Sequence, residues 1–225
     1  MNSPAHPPEI TAALAQELAE TAAYFHSCGW CLGTSGNYSV VLDAKPVRIL
    51  ITASGKDKGR LTGNDFVAID ESAEVIDELG AAYGTGRGEK PSAETHLHIV
   101  LAQEVKAGAI LHTHSVYGTL LSDYYFSKGG FSVENYEMLK GLNGITTHES
   151  RKWVEIFENT QDIPALAELV RGRLQDSKDP LRHGFLIRNH GLYAWGKNLA
   201  EARRHIEIFE FLFEVLVRKM SLPGA

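Results

Sequence analysis

The sequence has little cysteine, no long apolar stretch and no excess of basic residues. Its 225 residues include only 2 cysteines, Cys28 and Cys31, so no disulfide framework can hold the fold together. No run of about 18 or more apolar residues occurs, which excludes an ordinary membrane-spanning helix. The formal net charge is −6, whereas a general nucleic-acid-binding protein usually presents a basic surface. Neither nucleic acid nor a membrane is therefore expected as a partner.

Sequence motifs of several common chemistries are absent as well. There is no Walker motif, no Gly-x-Gly-x-x-Gly after a strand and no Gly-x-Ser-x-Gly elbow, which argues against nucleotide binding and serine hydrolysis. Cys28 and Cys31 have redox spacing but follow a predicted helix, so we interpret them as two incidental thiols. Residues 1–8 contain three prolines and lack the basic and apolar segments of a signal peptide. We expect them to be frayed and the protein to be cytoplasmic.

The composition is that of an ordinary globular protein, with 44% hydrophobic and 22% charged residues. No linker-like stretch interrupts the chain, so we predict a single domain over residues 1–225. Helical and strand patterns are interspersed, which predicts an α/β fold of three layers, a central, mostly antiparallel mixed sheet flanked by helices. Predicted helices cover 10–26, a segment opening at 91–92, 115–125, 163–174 and 198–219. Predicted strands cover 38–42, 47–52, 66–69, 74–76, 109–111, 154–158, 184–188 and 192–195. Residues 80–90 are a predicted loop, of which 84–88 is a candidate lid edge.

Two histidines at the end of a predicted strand form the clearest candidate metal site. His112 and His114 are two residues apart, and residues i and i+2 of a strand project to the same face. Both imidazoles can therefore reach one ion, although an H-x-H pair by itself is more often two polar residues at a strand end. His96 and His98 have the same spacing but lie in a predicted helix, where i and i+2 point about 200° apart. We interpret that second pair as surface or packing residues.

A third ligand has to come from a distant part of the chain. His190 is a candidate because it lies in a tight turn between two predicted strands, next to Gly191. Spacing alone does not choose it over the remaining histidines or over a carboxylate. The other candidate histidines are His6, His26, His148, His183 and His205.

Four short stretches, in chain order, resemble motifs of the class II aldolase/adducin family. They are GTSGN at 33–37, SG at 54–55, KPSAE at 90–94 and GAILHTHS at 108–115. The resemblance runs from about Gly29 into the final helix and implies the three-layer fold of that family. It also implies that His112, His114 and His190 hold one zinc ion per subunit.

Three further stretches resemble the dehydratases of this family that act in methionine salvage. They are YEMLKG at 136–141, FENT at 157–160 and RNHGLYAWG at 188–196. This closer resemblance implies a hydro-lyase that converts 5-methylthioribulose 1-phosphate into 2,3-diketo-5-methylthiopentyl 1-phosphate and water. It further implies that Glu137 is the catalytic acid/base and that the protein is a homotetramer with active sites near the subunit interfaces. From its sequence alone, Glu137 is equally a surface residue paired with Lys140.

Glu94 lies where the aldolases of the family carry a catalytic glutamate. It is either a contact to metal or substrate, or a carboxylate favoured by the dipole at a helix start. Two alternative functions therefore stay open. One is a sugar-phosphate aldolase or 4-epimerase of the fuculose- or ribulose-phosphate type, in which Glu94 is the main base, and the other is a non-enzymatic module of the adducin branch.

A sugar phosphate also needs donors for its phosphate group. Small residues, hydroxyls and the N-terminus of a helix supply such donors, because backbone N–H groups can approach an anion closely. We expect Lys58 and Arg60 to belong to a solvated basic loop. The candidate phosphate-binding residues are Gly36, Asn37, Ser54, Gly55 and Ser92, the last as the expected cap of a helix.

Overall fold

The computed structural model describes residues 8–76 and 89–223. Most of the segment expected to be frayed, the lid-edge candidate at 84–88 and most of the loop predicted at 80–90 lie outside these residues. Pro8 is an exception, because the first helix already begins there. None of the described helices is long and apolar enough to cross a membrane.

Eight strands form one sheet. They are β1 (Asn37–Ala44), β2 (Val47–Thr52), β3 (Phe66–Asp70), β4 (Ala109–Thr113), β5 (Gly130–Glu134), β6 (Arg151–Phe157), β7 (Gly184–Ile187) and β8 (Gly191–Gly196). Their order across the sheet is β3-β2-β1-β4-β8-β7-β6-β5. Every neighbouring pair is antiparallel except β6 and β7, which are parallel. The predicted mostly antiparallel mixed sheet is therefore confirmed.

Within residues 8–76 and 89–223, five α-helices cover the sheet: α1 (Pro8–Ser27), α2 (Thr95–Glu104), α3 (Val116–Tyr124), α4 (Ile163–Leu174) and α5 (Leu199–Met220). Side-chain caps fix where three of them start. The side chains of Ser115, Asp162 and Asn198 accept hydrogen bonds from backbone N–H groups of α3, α4 and α5, respectively. Short polar residues at these positions thus set the helix boundaries that the sequence predicted.

The sheet separates two apolar layers, as strand alternation requires. In β2, Leu50 packs into one layer while its neighbours Ile49 and Ile51 pack into the other. The first layer joins the sheet to α1, α3 and α5, and the second joins it to α2 and α4. These layers contain Leu18, Phe25, Leu121, Phe209 and Phe213 on one side, and Leu97, Leu101, Leu166 and Val170 on the other.

Three strand and helix predictions differ from the structure. Strand β5 was not predicted, because only Phe131 and Val133 carry its apolar alternation. The strand predicted at 74–76 is reduced to an isolated bridge between Ile69 and Val75. Helix α2 starts at Thr95, two residues later than a Ser92 cap would require. Each difference involves a very short pattern, in which tertiary pairing outweighs local preference.

Candidate active site

Strand pairing places three residues of the candidate site in a row across the neighbouring strands β1, β4 and β8. Asn37 of β1 lies opposite His112 of β4, and His112 in turn lies opposite Tyr193 of β8. His114 follows directly after β4, and its backbone N–H donates to the carbonyl of Trp30 at 2.7 Å. The rings of His112 and His114 are 4.5 Å apart between centroids, so the two imidazoles do lie side by side as the strand spacing predicts.

His190 reaches these two histidines from the turn between β7 and β8. Its ring centroid lies 5.0 Å from that of His112 and 4.5 Å from that of His114. One ligand nitrogen from each of the three rings lies within 4.8 Å of the others. Gly191 makes this approach possible, because a Cβ there would lie 1.9 Å from the backbone oxygen of Thr113. A glycine at this position therefore brings the turn against the end of β4.

The protonation of the rings suits metal binding. Nδ1 of His112 donates to the carbonyl of Leu192 at 2.9 Å, which leaves the lone pair on Nε2, and Nε2 lies 3.4 Å from Nε2 of His190. Burial is the main cause that lowers the pKa of His112 well below its ordinary value and that of His114 to about 2. Both rings are thus neutral at physiological pH, which is the form that binds metal ions.

Glu94 places its carboxylate on the three-histidine cluster. Oε1 lies 3.2 Å from Nε2 of His190, and Oε2 lies 3.4 Å from Nε2 of His112. Asn37 and the Tyr193 hydroxyl donate to Oε2 at 2.6 and 2.9 Å. Glu94 directly precedes α2, so its carboxylate lies at a helix start and at the histidine cluster at the same time. A carboxylate fixed by two donors is also well oriented for proton transfer.

Tyr193, a member of this row, and His98, behind it, make contacts that the sequence did not predict. Tyr193 stacks on His112, with 4.0 Å between ring centroids and 12° between the planes. His98 is fully buried. Its Nδ1 forms a hydrogen bond with the Ser39 hydroxyl at 2.7 Å, and its Nε2 contacts the side-chain oxygen of Asn37. Burial lowers the pKa of His98 to about 3, so it is a neutral packing residue as expected. Its effect is to orient Asn37, a link that only the strand register reveals.

A cavity of about 410 Å³ opens beside the histidines. The five candidate phosphate-binding residues all line it, together with Glu94, His114 and His190. The Asn37 amide nitrogen is already engaged, since it donates to Ser92 and Glu94. Ser92 does not cap a helix, but its hydroxyl oxygen accepts from the backbone N–H of Glu94 at 3.3 Å. Both residues therefore help to position Glu94.

Lys58 corrects an expectation, because it does not lie in a solvated loop. Only 1% of the residue is exposed, it lines the cavity, and its Nζ donates to the carbonyls of Thr34 and Lys56 at 3.0 and 2.8 Å. Burial lowers the pKa of its ammonium group. Arg60 does extend into solvent, with 88% of its side chain exposed. The loop thus contains one buried cation beside the predicted phosphate residues.

Glu137 also differs from its predicted role within a single chain. It begins a short 3₁₀ helix, Glu137–Gly141, and its carboxylate is 69% exposed. That carboxylate pairs with Lys140 at 2.5 Å and with His148 at 3.7 Å, and Lys140 lowers its pKa. Glu137 does not line the histidine cavity. One chain by itself therefore does not bring the predicted acid/base to the candidate metal site.

Comparison with known families agrees with this geometry. The family model described as Class II Aldolase and Adducin N-terminal domain matches residues 16–217. The chain belongs to the class II aldolase/adducin family. The family that the sequence motifs resemble is thereby confirmed.

Members of this family with similar sequences include two dehydratases. The methylthioribulose-1-phosphate dehydratase of Pectobacterium atrosepticum is 47% identical over 214 residues, which cover 93% of this chain and 97% of that protein. The protein of the same name from Marinobacter nauticus is 40% identical over 212 residues, which cover 94% and 96%.

Solved structures support the fold of the family. L-fuculose-1-phosphate aldolase from Thermus thermophilus has a TM-score of 0.71 at 22% identity and covers 96% of this chain and 99% of its own. A sugar-phosphate aldolase from Thermotoga maritima has a TM-score of 0.64 at 20% identity, with 94% and 96% covered. At such identities the likeness shows a shared fold.

Proposed function

We propose that this protein is a metal-dependent methylthioribulose-1-phosphate dehydratase. It removes water from 5-methylthioribulose 1-phosphate to give 2,3-diketo-5-methylthiopentyl 1-phosphate, a step of methionine salvage carried out in the cytoplasm. The observation that carries the proposal is the convergence of His112, His114 and His190 beside Glu94, in a chain 40–47% identical to dehydratases of that name over nearly its whole length.

The residues at the cluster fit a divalent metal ion. Three converging imidazoles and an open side towards a cavity are the donor set and access that catalytic zinc sites use. Imidazole also suits iron and manganese, so zinc, with one ion per chain, is the finer part of the proposal. A bound ion supplies Lewis-acid polarisation of the substrate's carbonyl and hydroxyl oxygens.

The chain's own residues then handle a proton and a phosphate group. Net dehydration takes a proton from C3 and the hydroxyl group from C4, and the resulting enol rearranges to the diketone. Glu94 is the carboxylate that shares the cavity with the histidines, so we assign it the proton at C3. The loops around Gly36, Ser54 and Gly55, with Lys58 behind them, bind the phosphate group.

Glu137 enters this scheme from a second copy of the chain. Its carboxylate is exposed and does not line its own chain's cavity, so we infer that another subunit brings it to a histidine cluster. Helix α3, which begins two residues after His114, exposes Val116, Leu120 and Tyr124, and such an apolar face suits a subunit contact. We assign Glu137 of a neighbouring subunit in a homotetramer to protonation of the departing C4 hydroxyl.

Substrate turnover tests the proposed function. Purified protein is incubated separately with methylthioribulose 1-phosphate, L-fuculose 1-phosphate and L-ribulose 5-phosphate, each with and without a chelator. We expect diketone formation from the first substrate only, its loss with the chelator, and its recovery on adding zinc. Turnover of a fuculose or ribulose phosphate in place of the first substrate would instead identify an aldolase or epimerase. The position of Glu94 beside the histidines is also compatible with that alternative.

Mixed oligomers test the role of Glu137 separately. Glu137→Gln and His190→Asn chains are each expected to be inactive alone. Co-expressed, they should regain activity, because some sites then combine intact histidines with an intact Glu137 from the neighbour. Full activity of Glu137→Gln alone, or no recovery in the mixture, contradicts the assignment.

A further inference from the structure

A second cavity lies where strands β6 and β7 diverge. The two strands pair only at Ile156 with Leu186 and at Phe157 with Ile187, while the rest of β6 pairs with β5. A cavity of about 370 Å³ occupies the opening between them. It shares no lining residue with the histidine cavity and has the size of a small-molecule site.

Lys152 supplies a buried cation to this second cavity. Only 7% of the residue is exposed, and its Nζ donates to the carbonyl of Arg182 at 2.6 Å. No carboxylate oxygen of residues 8–76 or 89–223 lies within 4.0 Å of that nitrogen. An ammonium group carries three donors, so the carbonyl satisfies one of them. A buried charge is costly unless it is paired, and the two acids of the described residues that act on this one, Asp179 and Glu155, do so from more than 4.0 Å away.

The other charges of the cavity add to its positive character. Its lining contains four cationic and two acidic side chains, in a protein whose net charge is −6. Of the two acids, Glu155 pairs with Arg173, which donates to it at 2.8–3.0 Å, whereas Asp179 acts on Lys152 and Arg173 without an ion pair within 4.0 Å among the described residues. Arg182 makes no ion pair with any carboxylate of the described residues, so its guanidinium is available to a ligand. The cavity therefore suits an anion, with Lys152 and Arg182 as charge partners.

His183 adds a requirement for a hydrogen-bond donor on that anion. Its Nε2 contacts the carbonyl of Asn143 at 2.7 Å, and since a carbonyl only accepts, Nε2 carries the hydrogen. Burial lowers the pKa of this ring to about 4, so Nδ1 holds a lone pair at neutral pH. Nδ1 is buried and has no partner among the described residues. Because His183 lines the cavity, a hydroxyl group on a ligand bound there is the donor that we assign to this nitrogen.

We propose that this cavity is a binding site for a small phosphate-bearing molecule that also presents a hydroxyl hydrogen. Lys152 and Arg182 bind the phosphate oxygens, and Nδ1 of His183 accepts the hydroxyl. Monohydrogen phosphate is the simplest probe, because it has both the charge and the hydrogen. Sulfate is its matched control, because it carries the same charge and nearly the same shape without any hydrogen.

Calorimetric titration of the metal-loaded full chain with inorganic phosphate tests the charge partners. Wild type should show two sites, of which Lys152→Met loses one and Lys58→Met the other, with at least a tenfold drop in affinity in each case. Lys178→Met, an exposed lysine outside both cavities, should keep both sites. If Lys152→Met misfolds by circular dichroism, Arg182→Met replaces it, because that guanidinium is at the surface. A titration unchanged from wild type in the folded variant overturns the proposal.

Sulfate titration tests the hydroxyl requirement. At the site sensitive to Lys152, we expect sulfate to bind at least fivefold more weakly than phosphate. His183→Asn should remove that difference, and asparagine tolerates the φ of 63° found at this position. Equal binding of phosphate and sulfate by wild type overturns the part assigned to His183.

Discussion

The two cavities each contain a buried lysine, but they are built in different ways. Beside the histidines, the side chains come from a row of directly opposed residues, Asn37, His112 and Tyr193, on three paired strands. At the other cavity β6 and β7 diverge, and Lys152 spans the gap between them with one hydrogen bond to the carbonyl of Arg182. A register-fixed row keeps reacting groups within tenths of an ångström, as catalysis requires, whereas a loop-lined opening suits binding.

The largest effect should come from breaking the histidine cluster itself. His190→Asn is expected to abolish metal retention and to reduce turnover on the order of 10³-fold, since it removes one of the three proposed ligands and with it the proposed Lewis acid. Metal analysis and turnover of methylthioribulose 1-phosphate measure both effects. Wild type stripped by a chelator and then reloaded serves as the control. A variant that keeps full metal content would show that His190 is not a ligand.

The next effect concerns Glu94, the carboxylate that contacts this cluster. Glu94→Gln keeps the shape and the contacts to Asn37 and Tyr193 but removes the base, so kcat should fall about 10²–10⁴-fold with metal content unchanged. Metal analysis beside steady-state kinetics separates this from loss of the ion. A change in KM alone, with kcat preserved, would indicate that Glu94 only contacts the substrate.

A smaller effect is expected from the buried lysine of this cavity. Lys58→Met should raise KM about 10–100-fold, as expected for the loss of a charge-assisted contact to phosphate, with a much smaller change in kcat. Lys56→Met is the matched control, because it removes the same charge two residues away, where Lys56 pairs with Glu89 and Asp65. An equal rise in KM for the two variants would show that Lys58 acts only through its general positive charge and not through contact with the phosphate group.

The smallest effect is a dependence of stability on pH that involves one buried histidine beside each cavity, His98 and His183. Burial lowers the pKa of His98 to about 3 and of His183 to about 4, below the unfolded value of 6.5. The unfolded chain then binds more protons below pH 6.5, so the free energy of unfolding should fall as the pH drops from 6.5 towards 4. Urea unfolding at several pH values measures this slope. His183→Asn should make the slope of stability against pH shallower. An unchanged slope in this variant would assign the effect to His98.

The sequence predicted the fold class and most elements, because these depend on local patterns. Helix α4 was predicted with its observed bounds, and Asn198 and Ser115 cap the helices they were expected to start. Strand β5 and the start of α2 were missed, because their positions depend on pairing with distant segments. The spacing of apolar residues within a segment does not indicate which distant segment it will pair with.

The candidate site shows the same division. The strand spacing of His112 and His114 was enough to predict adjacent rings. His190 was one of several candidates until the family resemblance pointed to it, and its 4.5 Å approach to His114 depends on the turn geometry at Gly191. Lys58 looked like a surface residue because its neighbours are charged, yet the packing of two loops buries it.

By itself, the sequence determined which segments alternate, which residues cap helices and which two imidazoles share a strand face. Those properties follow from backbone geometry within a few residues. The tertiary structure alone decided that Glu94 faces the histidines, that Glu137 does not within one chain, and that two lysines are buried. The physical reason is that burial and charge pairing depend on contacts between residues far apart in the chain, which only the strand register and loop packing define.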